Sequence, residues 1–254
     1  MGLLAGALSA PVAANGVNPY PSPGMTESAC PASRDGLWAQ DERVRANDWA
    51  WLCRYQADNA LVDPANPPQV VFIGDSITEN WTKFDPVLFG KNRLGRGISG
   101  QTSPQMLVRF WQDVIALKPR VVHIMAGTND IAGNTGPTTP EAYQNTIRAM
   151  VGLAEANDIA VILASILPAD RFGWSPALQP APWIASLNAW LRSYAAERGA
   201  VYADYHAVLA GPNGELRPEF GPDGVHPNAA GYAAMRPVAE AAIAAAEAKI
   251  GRRR

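Results

Sequence analysis

The sequence predicts one α/β domain in which a mainly parallel β-sheet lies between two layers of helices. Short apolar runs alternate with longer segments of helical periodicity over most of the 254 residues. These runs lack the polar alternation of a half-exposed strand, so we expect each strand to be covered on both faces. Helices between consecutive strands act as right-handed crossovers, and such crossovers make the strands parallel.

The chain that precedes the first strand contains little regular pattern. Residues 15–37 are rich in Pro, Ser, Gly and Asn and predict an irregular lead-in. Residues 41–60 predict a helix, because their apolar residues, among them Trp51 and Tyr55, recur at roughly helical spacing. Prolines between residues 64 and 68 then interrupt the chain.

Strand and helix alternate from residue 70 onward. Residues 70–73 predict a buried strand that ends at a glycine. Residues 103–117 predict a helix with one apolar face, for which Ser103 can serve as the cap and Pro104 suits the first turn. Residues 121–125 predict the second buried strand.

The second half of the chain continues the alternation. Thr139-Pro140 predicts the start of a helix, and residues 159–164 predict a third apolar strand. Residues 184–197 predict a helix, residues 201–203 a strand and residues 228–249 an Ala-rich final helix. No internal repeat and no second domain is indicated.

Composition and charge exclude several classes of protein. Hydrophobic residues make up 48% and charged residues 17%, which favours a packed core over disorder. The net charge is −2, and the one basic cluster, Lys249 with Arg252–Arg254, reads as a solvated tail, so no nucleic-acid partner is expected. No stretch is long and apolar enough for an integral membrane protein.

The N-terminal residues predict export. Residues 3–14 are small and apolar, and Val12-Ala13-Ala14 fits a cleavage site, so we interpret residues 1–14 as a signal-peptide remnant and expect a secreted or periplasmic bacterial protein. The basic start of such a signal is missing, and an apolar tail is the alternative. Cys30 and Cys53 would pair in an oxidising compartment, but two free thiols are an equal alternative.

Ser76 directly follows the first predicted strand, in Gly74-Asp75-Ser76-Ile77-Thr78. Functional groups of a parallel sheet gather at the carboxyl ends of its strands. A serine at this point, near the start of a helix, exposes its hydroxyl beside N–H groups that can bind developing negative charge. The alternative is a serine that only caps the helix.

His226 is the predicted base for Ser76, because serine needs a base to act as a nucleophile. Asp223 precedes it by three residues in a Gly- and Pro-containing loop, from which its carboxylate can orient the imidazole. A surface turn is the alternative. Of the other histidines, His123 lies within an apolar run and predicts a core hydrogen bond, whereas His206 lacks a carboxylate in this pattern.

Two further segments predict donors for an oxyanion. Asn129 follows the second strand in Gly127-Thr128-Asn129-Asp130 and can aim its side-chain N–H at a substrate oxygen, although an ordinary turn is the alternative. Residues 95–100 match G-x-G-x-x-G, but residues 91–94 are not the apolar strand that a dinucleotide site requires. We therefore interpret Gly97 as the source of a backbone N–H for the oxyanion.

These four segments together resemble the SGNH hydrolase family, whose members are also called GDSL esterases. The first block corresponds to residues 74–78, the block glycine to Gly97, the asparagine to Asn129, and the last block to Asp223 and His226. The similarity covers residues 69–250, which leaves residues 15–68 as an N-terminal extension with one helix. The resemblance implies a flavodoxin-like three-layer α/β/α sandwich with a mainly parallel, five-stranded sheet.

The resemblance also implies a serine carboxylester hydrolase that works through an acyl-enzyme, without a metal or an organic cofactor. Ser76 would be the nucleophile, His226 its base, and Asp223 the residue that orients His226. The backbone N–H groups of Ser76 and Gly97 and the side chain of Asn129 would form the oxyanion hole.

The substrate is predicted from aromatic residues and from the resemblance. Trp81 follows the nucleophile by five residues and Trp174 lies in the long loop 166–182, so both are candidates to bind substrate, with packing of the loop as the alternative. The resemblance favours a small ester or an acetylated carbohydrate. The alternatives are a lysophospholipase, thioesterase or aryl esterase, a non-catalytic carbohydrate-binding protein, and a nicotinamide enzyme. Nothing in the sequence indicates the oligomeric state.

Overall fold

The computed structural model describes residues 48–90 and 92–251. The signal-peptide remnant predicted at residues 1–14, the lead-in at 15–37 and Cys30 lie outside the described residues. The pairing of Cys30 with Cys53 and the exported location therefore remain predictions.

A five-stranded, fully parallel sheet forms the centre of the molecule, with the strand order β2-β1-β3-β4-β5. This confirms the predicted α/β fold. The strands are β1 (Val70–Gly74), β2 (Arg93–Gly97), β3 (Val121–Met125), β4 (Ala160–Ala164) and β5 (Val201–Ala203).

Helices connect the strands in chain order. They are α1 (Gln56–Ala60), α2 (Ser76–Phe84), α3 (Pro86–Phe89), α4 (Ser103–Asp113), α5 (Thr128–Ala132), α6 (Pro140–Ala156), α7 (Ala181–Arg198), α8 (Tyr205–Leu209) and α9 (Ala229–Gly251). A short 3₁₀ helix, Ile115–Leu117, follows α4. None of the helices among the described residues is both long and apolar enough to cross a membrane.

Two hydrophobic cores cover the two faces of the sheet, because successive side chains of a strand point to opposite faces. Val71 and Ile73 pack on one face with apolar residues of α4, α6 and α7. Val70 and Phe72 pack on the other face with apolar residues of α2, α8 and α9. Both faces are buried, as the apolar strands predicted.

Strand β2 was not predicted from the sequence. Its sequence, Arg-Leu-Gly-Arg-Gly, has neither an apolar run nor a regular alternation. The strand forms at the sheet edge, where it pairs with β1 alone, in the register Gly74 to Gly97. Its two glycines allow α2 to cross the strand closely. The residues of β2 therefore suit this close crossing, and they have low strand propensity.

The helix predicted at residues 41–60 is wrong over most of its described part. Residues 48–55 form turns, and only α1 is helical. The Asp48 carboxylate accepts hydrogen bonds from the N–H groups of Leu52 and Cys53, and Trp51 has a positive φ of 51°. A left-handed residue cannot continue a right-handed helix, so the helical spacing of the apolar residues is misleading here.

The other boundaries shift by a few residues. Thr102, rather than Ser103, is the cap of α4, and its N–H is bound by the side chain of Gln105. Thr139 caps α6 as predicted, because its hydroxyl accepts from the N–H of Ala142.

Candidate active site

The site lies at the carboxyl ends of β1, β2 and β3. Gly74, at the end of β1, is in register with Gly97 of β2 and Met125 of β3. Ser76 and Asn129 follow β1 and β3 by a few residues, so a parallel sheet brings them to the same edge.

Ser76 is the first residue of α2, and the residue before it defines the start of that helix. Asp75 is the N-cap, with extended backbone angles, and its carboxylate accepts from the N–H of Ile77 at 2.9 Å. This cap turns the chain sharply between β1 and α2. The turn exposes the hydroxyl of Ser76 in the cleft.

Ser76, His226 and Asp223 form one continuous chain of hydrogen bonds. The Oγ atom of Ser76 lies 2.9 Å from Nε2 of His226. The Nδ1 atom of the same ring lies 2.7 Å from Oδ2 of Asp223. The structure thus brings together residues that are 150 positions apart, in the geometry of a nucleophile, a base and an orienting carboxylate.

Asp223 is held in place by the loop in which it lies. Its Oδ1 atom accepts from the N–H groups of Val225 and His226, at 2.9 and 2.8 Å. Gly224 between them has a φ of 79°, a left-handed conformation that glycine adopts without strain. Partial burial raises the pKa of Asp223, but the hydrogen bonds from both N–H groups and from the imidazole outweigh burial and lower the pKa below its usual value.

Gly97 is required by the close approach of α2 to β2. A Cβ atom at this position would lie 2.2 Å from the backbone nitrogen of Glu79 and 2.7 Å from the carbonyl oxygen of Asp75. Both are backbone atoms and cannot move without shifting the helix that carries Ser76. A glycine here therefore allows β2 to reach the nucleophile.

Asn129 lies where the sequence predicted it, but both of its side-chain N–H groups have protein partners. Its Nδ2 atom donates to Oδ2 of Asp75 at 3.2 Å and to the carbonyl oxygen of Gln101 at 3.0 Å. Its Oδ1 atom accepts from Nδ2 of Asn134 at 2.6 Å, which fixes the orientation of the amide. Donation to a substrate oxygen would require Asn129 to share or exchange one of these two bonds.

Asp75 is fully enclosed beneath the site. Burial raises the pKa of Asp75 to about 6. Its hydrogen bonds to Ile77 and Asn129 make it a support for the loop, and it does not line the cleft.

The cleft above Ser76 has a volume of about 660 Å³ and is lined by Asn129 and the His226 loop. Trp174 forms part of its wall, with 48% of its surface exposed. The indole stacks on the buried ring of Phe172, with centroids 5.1 Å apart, and donates to Oδ1 of Asn134 at 3.0 Å. Trp174 therefore lies at the cleft, and its role in binding substrate stays a prediction.

The prediction that Trp81 binds substrate is wrong. Its side chain is completely buried in the core beneath the site and does not line the cleft. Its ring stacks on Tyr232, which in turn stacks on Phe84. Phe84 is 49% exposed and lines the cleft, so the aromatic ring that reaches the substrate side of α2 lies three residues after the predicted one.

The remaining histidines take no part in the site. His123 is buried, and its Nε2 atom lies 2.8 Å from the hydroxyl oxygen of Tyr205, so it occupies the core as predicted. Burial lowers the pKa of His123 to about 3, which keeps the ring neutral. His206 lies at the start of α8 and does not line the cleft.

Several amide side chains of the cleft were also not predicted from the sequence. Asn80 follows Ser76 by four residues in α2, so helical spacing indicates that both lie on one face. Asn134 and Asn228 come from loops that only the fold brings to the cleft. The Asn228 side chain accepts from the N–H groups of Ala230 and Gly231 at the start of α9.

The structure does not support the cofactor sites that the sequence patterns raised. Gly95 and Gly97 lie inside β2, whereas the dinucleotide motif places its glycines in a turn that opens a helix. We rejected the motif because no strand was predicted before it, but a strand is present. The correct reason to reject the motif is that its glycines lie inside that strand and not in a turn. Within residues 48–90 and 92–251, no group of His, Cys, Asp or Glu is arranged to hold a metal ion.

Comparison with known proteins identifies the family. Residues 72–234 match the model of the GDSL-like lipase/acylhydrolase family. A structure from Bacteroides fragilis, described as that of an acylhydrolase, is 46% identical, covers 77% of this chain and 96% of its own, and has a TM-score of 0.73. A GDSL-like lipase from Bacteroides thetaiotaomicron is 42% identical, covers 77% of this chain and 98% of its own, and has the same TM-score of 0.73.

A more distant structure shares the fold. An acetylxylan esterase from Geobacillus stearothermophilus is 20% identical, covers 68% of this chain and 93% of its own, and has a TM-score of 0.55. No curated protein matches the chain. The family match, together with the two relatives above 40% identity, shows that this chain belongs to the GDSL-like lipase/acylhydrolase family and that it is an ester hydrolase of the SGNH type.

Proposed function

We propose that the protein removes small acyl groups, acetyl above all, from carbohydrate by way of an acyl-enzyme on Ser76. The observation that carries the catalytic part of this proposal is the unbroken chain from Ser76 Oγ through His226 to Asp223, with distances of 2.9 and 2.7 Å. This chain opens onto the cleft, where an ester can reach the hydroxyl.

The proposed reaction has two halves. Ser76 Oγ attacks the ester carbonyl while His226 Nε2 takes its proton, and Asp223 stabilises the imidazolium that forms. His226 then gives this proton to the leaving alcohol, which leaves an acyl group on Ser76. Water attacks the acyl-enzyme by the same route and releases the acid and the free serine.

The oxyanion formed in each half needs hydrogen-bond donors. We assign this role to the backbone N–H groups of Ser76 and Gly97 and to the Asn129 amide. Loss of one such donor typically costs roughly 2.7–4 kcal/mol of barrier. Exchange of the bond from Asn129 to the Gln101 carbonyl for one to the oxyanion would keep the amide satisfied in both states.

The character of the cleft supports a carbohydrate as the alcohol part of the substrate. Amide and hydroxyl side chains line it, and these groups can bond to sugar hydroxyls where they share or exchange the protein bonds that Asn129, Asn134 and Asn228 make. Two exposed aromatic rings, Trp174 and Phe84, also line it and can stack on a sugar face. The cleft-lining side chains with amide or hydroxyl groups are Ser76, Asn80, Ser99, Asn129, Asn134 and Asn228.

The experiment that tests the proposal compares wild type with Ser76→Ala. It measures hydrolysis of p-nitrophenyl acetate, butyrate and octanoate, and release of acetate from acetylated xylan and xyloglucan. We expect wild type to prefer acetate and to deacetylate a polysaccharide. In Ser76→Ala we expect kcat to fall by roughly 10⁴- to 10⁶-fold.

Ser186→Ala is the matched control, because Ser186 is an exposed serine of α7 that does not line the cleft. It should retain full activity. A preference for octanoate would replace the carbohydrate substrate by a lipid or thioester. Turnover that survives in Ser76→Ala would overturn the mechanism.

A further inference from the structure

Residues 48–55 lie outside the part of the chain that matches the family, yet they contact the loop beside the nucleophile. We call these residues the brace. Trp51 and Tyr55 of the brace form a small apolar cluster of their own with Ile98, which directly follows Gly97. Some contacts of the brace reach α4, and others reach the loop of residues 97–102, which connects β2 to α4.

The first tie joins the brace to Gly97. The hydroxyl of Tyr55 donates a hydrogen bond to the carbonyl oxygen of Gly97. Because β2 is an edge strand, this hydroxyl supplies the donor that a second neighbouring strand would supply inside a sheet. Burial raises the pKa of Tyr55 to about 12, so the hydroxyl keeps its proton and remains a donor at neutral pH.

The Tyr55 ring is itself in contact with two charged side chains. The guanidinium groups of Arg54 and Arg96 lie 4.7 and 4.8 Å from its centroid, at cation–π distance. The side chain of Tyr55 is 7% exposed. The hydroxyl is therefore presented to Gly97 by a ring that has little freedom to turn away.

The second tie joins the brace to Asn129 through Gln101. The side chain of Gln101 donates to the carbonyl oxygen of Ala50 at 2.7 Å, and its Oε1 atom accepts from the buried Arg109 at 2.6 Å. The backbone carbonyl of the same residue accepts from the Asn129 amide at 3.0 Å. The position of Gln101, and with it the bond that orients Asn129, thus depends on the brace.

The third tie runs through Glu79 of α2. Its Oε1 atom lies 3.5 Å from the Arg54 guanidinium, and its Oε2 atom accepts from the N–H of Ser99 at 2.8 Å. Ser99 lines the cleft. The loop of residues 97–102 is therefore tied to the brace at its start, middle and end.

We propose that the brace is a positioning element of the oxyanion hole, with Tyr55 as its principal positioning residue. The proposal rests on the proposed function, in which Gly97 and Asn129 donate to the oxyanion. Such donors must be held within about 0.5 Å of the productive geometry, and a loop at a sheet edge needs an external support to meet that tolerance. The brace acts through these two residues and does not touch substrate.

Tyr55→Phe tests the proposal, because it removes one oxygen atom and keeps the ring. We expect kcat for p-nitrophenyl acetate to fall by roughly 10- to 100-fold with KM little changed, since misplacement of a catalytic group by a distant mutation costs up to about 10²-fold. Affinity for a boronic acid should fall by a similar factor. A boronic acid forms a tetrahedral adduct with the serine and places an oxygen in the oxyanion hole.

Gln112→Ala is the matched control. Gln112 of α4 donates to the carbonyl oxygen of Leu52, so this variant removes one contact of the brace with α4 and leaves the three ties to the loop of residues 97–102 in place. It should keep the wild-type kcat. Equal losses of kcat in the two variants, in proportion to their losses of thermal stability, would reduce the brace to a general structural role and overturn the proposal.

Ser76→Ala separates failure of this inference from failure of the proposed function. If Ser76→Ala is inactive while Tyr55→Phe turns over and binds the boronic acid like wild type, the esterase mechanism stands and the brace is refuted. If Ser76→Ala retains activity, the oxyanion hole assigned here is wrong, and the brace proposal is wrong with it.

Discussion

Asp223 shows why a carboxylate is needed beside His226, because its two oxygens bind different donors. Oδ1 accepts two backbone N–H groups, and Oδ2 accepts the imidazole Nδ1–H. All three partners are donors, so only a group with two acceptor oxygens satisfies them together. This arrangement leaves Nε2 of the ring free of its proton and able to accept one from Ser76.

Asp223→Asn should therefore lose activity while the loop stays folded. The Asn oxygen would keep the bonds to the N–H groups of Val225 and His226, and its NH₂ group would then face Nδ1. The ring would be driven to the tautomer that cannot accept a proton from serine. We expect kcat for p-nitrophenyl acetate to fall by up to about 10⁴-fold.

The control for this change is Asp170→Asn, which alters an exposed carboxylate of the loop that follows β4. It should leave kcat unchanged. Near-wild-type turnover in Asp223→Asn would mean that His226 is oriented by another group.

Trp174→Ala tests the carbohydrate part of the proposal at a single residue. We expect KM for acetylated xylo-oligosaccharides to rise by roughly 3- to 10-fold, since an aromatic contact contributes ~0.5–1.5 kcal/mol. Trp174→Phe should recover most of this loss, because it retains an aromatic face. Steady-state kinetics on oligosaccharides and on p-nitrophenyl acetate provide the measurement.

Trp183→Ala is the control, because Trp183 is 50% exposed but does not line the cleft. An unchanged KM for the oligosaccharide in Trp174→Ala would show that Trp174 only packs on Phe172.

The contact between strand β2 and helix α2 sets the shape of the site. Gly95 and Gly97 both face α2, where a Cβ atom would lie 2.2 Å from Thr82 Cγ2 or from Glu79 N. The glycines weaken the strand by their freedom in the unfolded chain, but they let the helix approach. Gly152 in α6 carries no such constraint, because the space around its Cβ position is open.

Gly152→Ala should stabilise the protein, because alanine is favoured over glycine in a helix by ~1 kcal/mol. Gly152 is exposed, so activity should not change. Gly97→Ala is the contrasting variant, and it should lose both stability and activity. Urea denaturation and kcat for p-nitrophenyl acetate distinguish the two, and equal effects would contradict the close approach of α2.

The whole molecule buries several charged groups around the site, and this makes its stability depend on pH. Burial raises the pKa of Asp130 to about 6, and it does the same for Asp75. Between about pH 4 and pH 6 the folded protein therefore holds protons that the unfolded chain has already lost. Stability contributed by these groups is present at low pH and is lost as the pH rises through this range.

Asp130→Asn should remove part of the stability loss that occurs as the pH rises. The carboxylate accepts from the N–H and the hydroxyl of Ser103, and asparagine can bond to the same residue without a charge. We expect the free energy of unfolding of the variant, minus that of wild type, to rise by up to about 3 kcal/mol between pH 4 and pH 7. Urea denaturation at several pH values measures this difference.

Asp63→Asn is the control, since Asp63 is exposed and its carboxylate accepts only from the N–H of Ala65. Its effect on the free energy of unfolding should be small, because replacing an exposed carboxylate relieves no burial. A difference for Asp130→Asn that is constant with pH would mean that Asp130 keeps an ordinary pKa.

Sequence patterns alone predict four of the five strands of the parallel sheet, and they predict that Ser76, Asn129 and the Asp223–His226 pair meet at its edge. Apolar runs report burial on both faces directly, and the positions of Ser76, Asn129 and the Asp223–His226 pair follow from strand ends and one local loop. These are properties of short segments. They hold wherever the segment lies in the fold, so local patterns suffice to predict them.

Tertiary contacts determine which side chains face the cleft and what holds the loop of residues 97–102 beside it. Tyr232 of α9 stacks on both Trp81 and Phe84. Trp81 is buried because core rings, among them Phe72 and Tyr205, also pack against it, whereas Phe84 lies at the cleft. The contact of Tyr55 with Gly97 joins residues 42 positions apart, and Tyr55 itself lies in a turn rather than in a helix. Exposure and long-range hydrogen bonds depend on neighbours that are distant in the chain, and no local pattern records them.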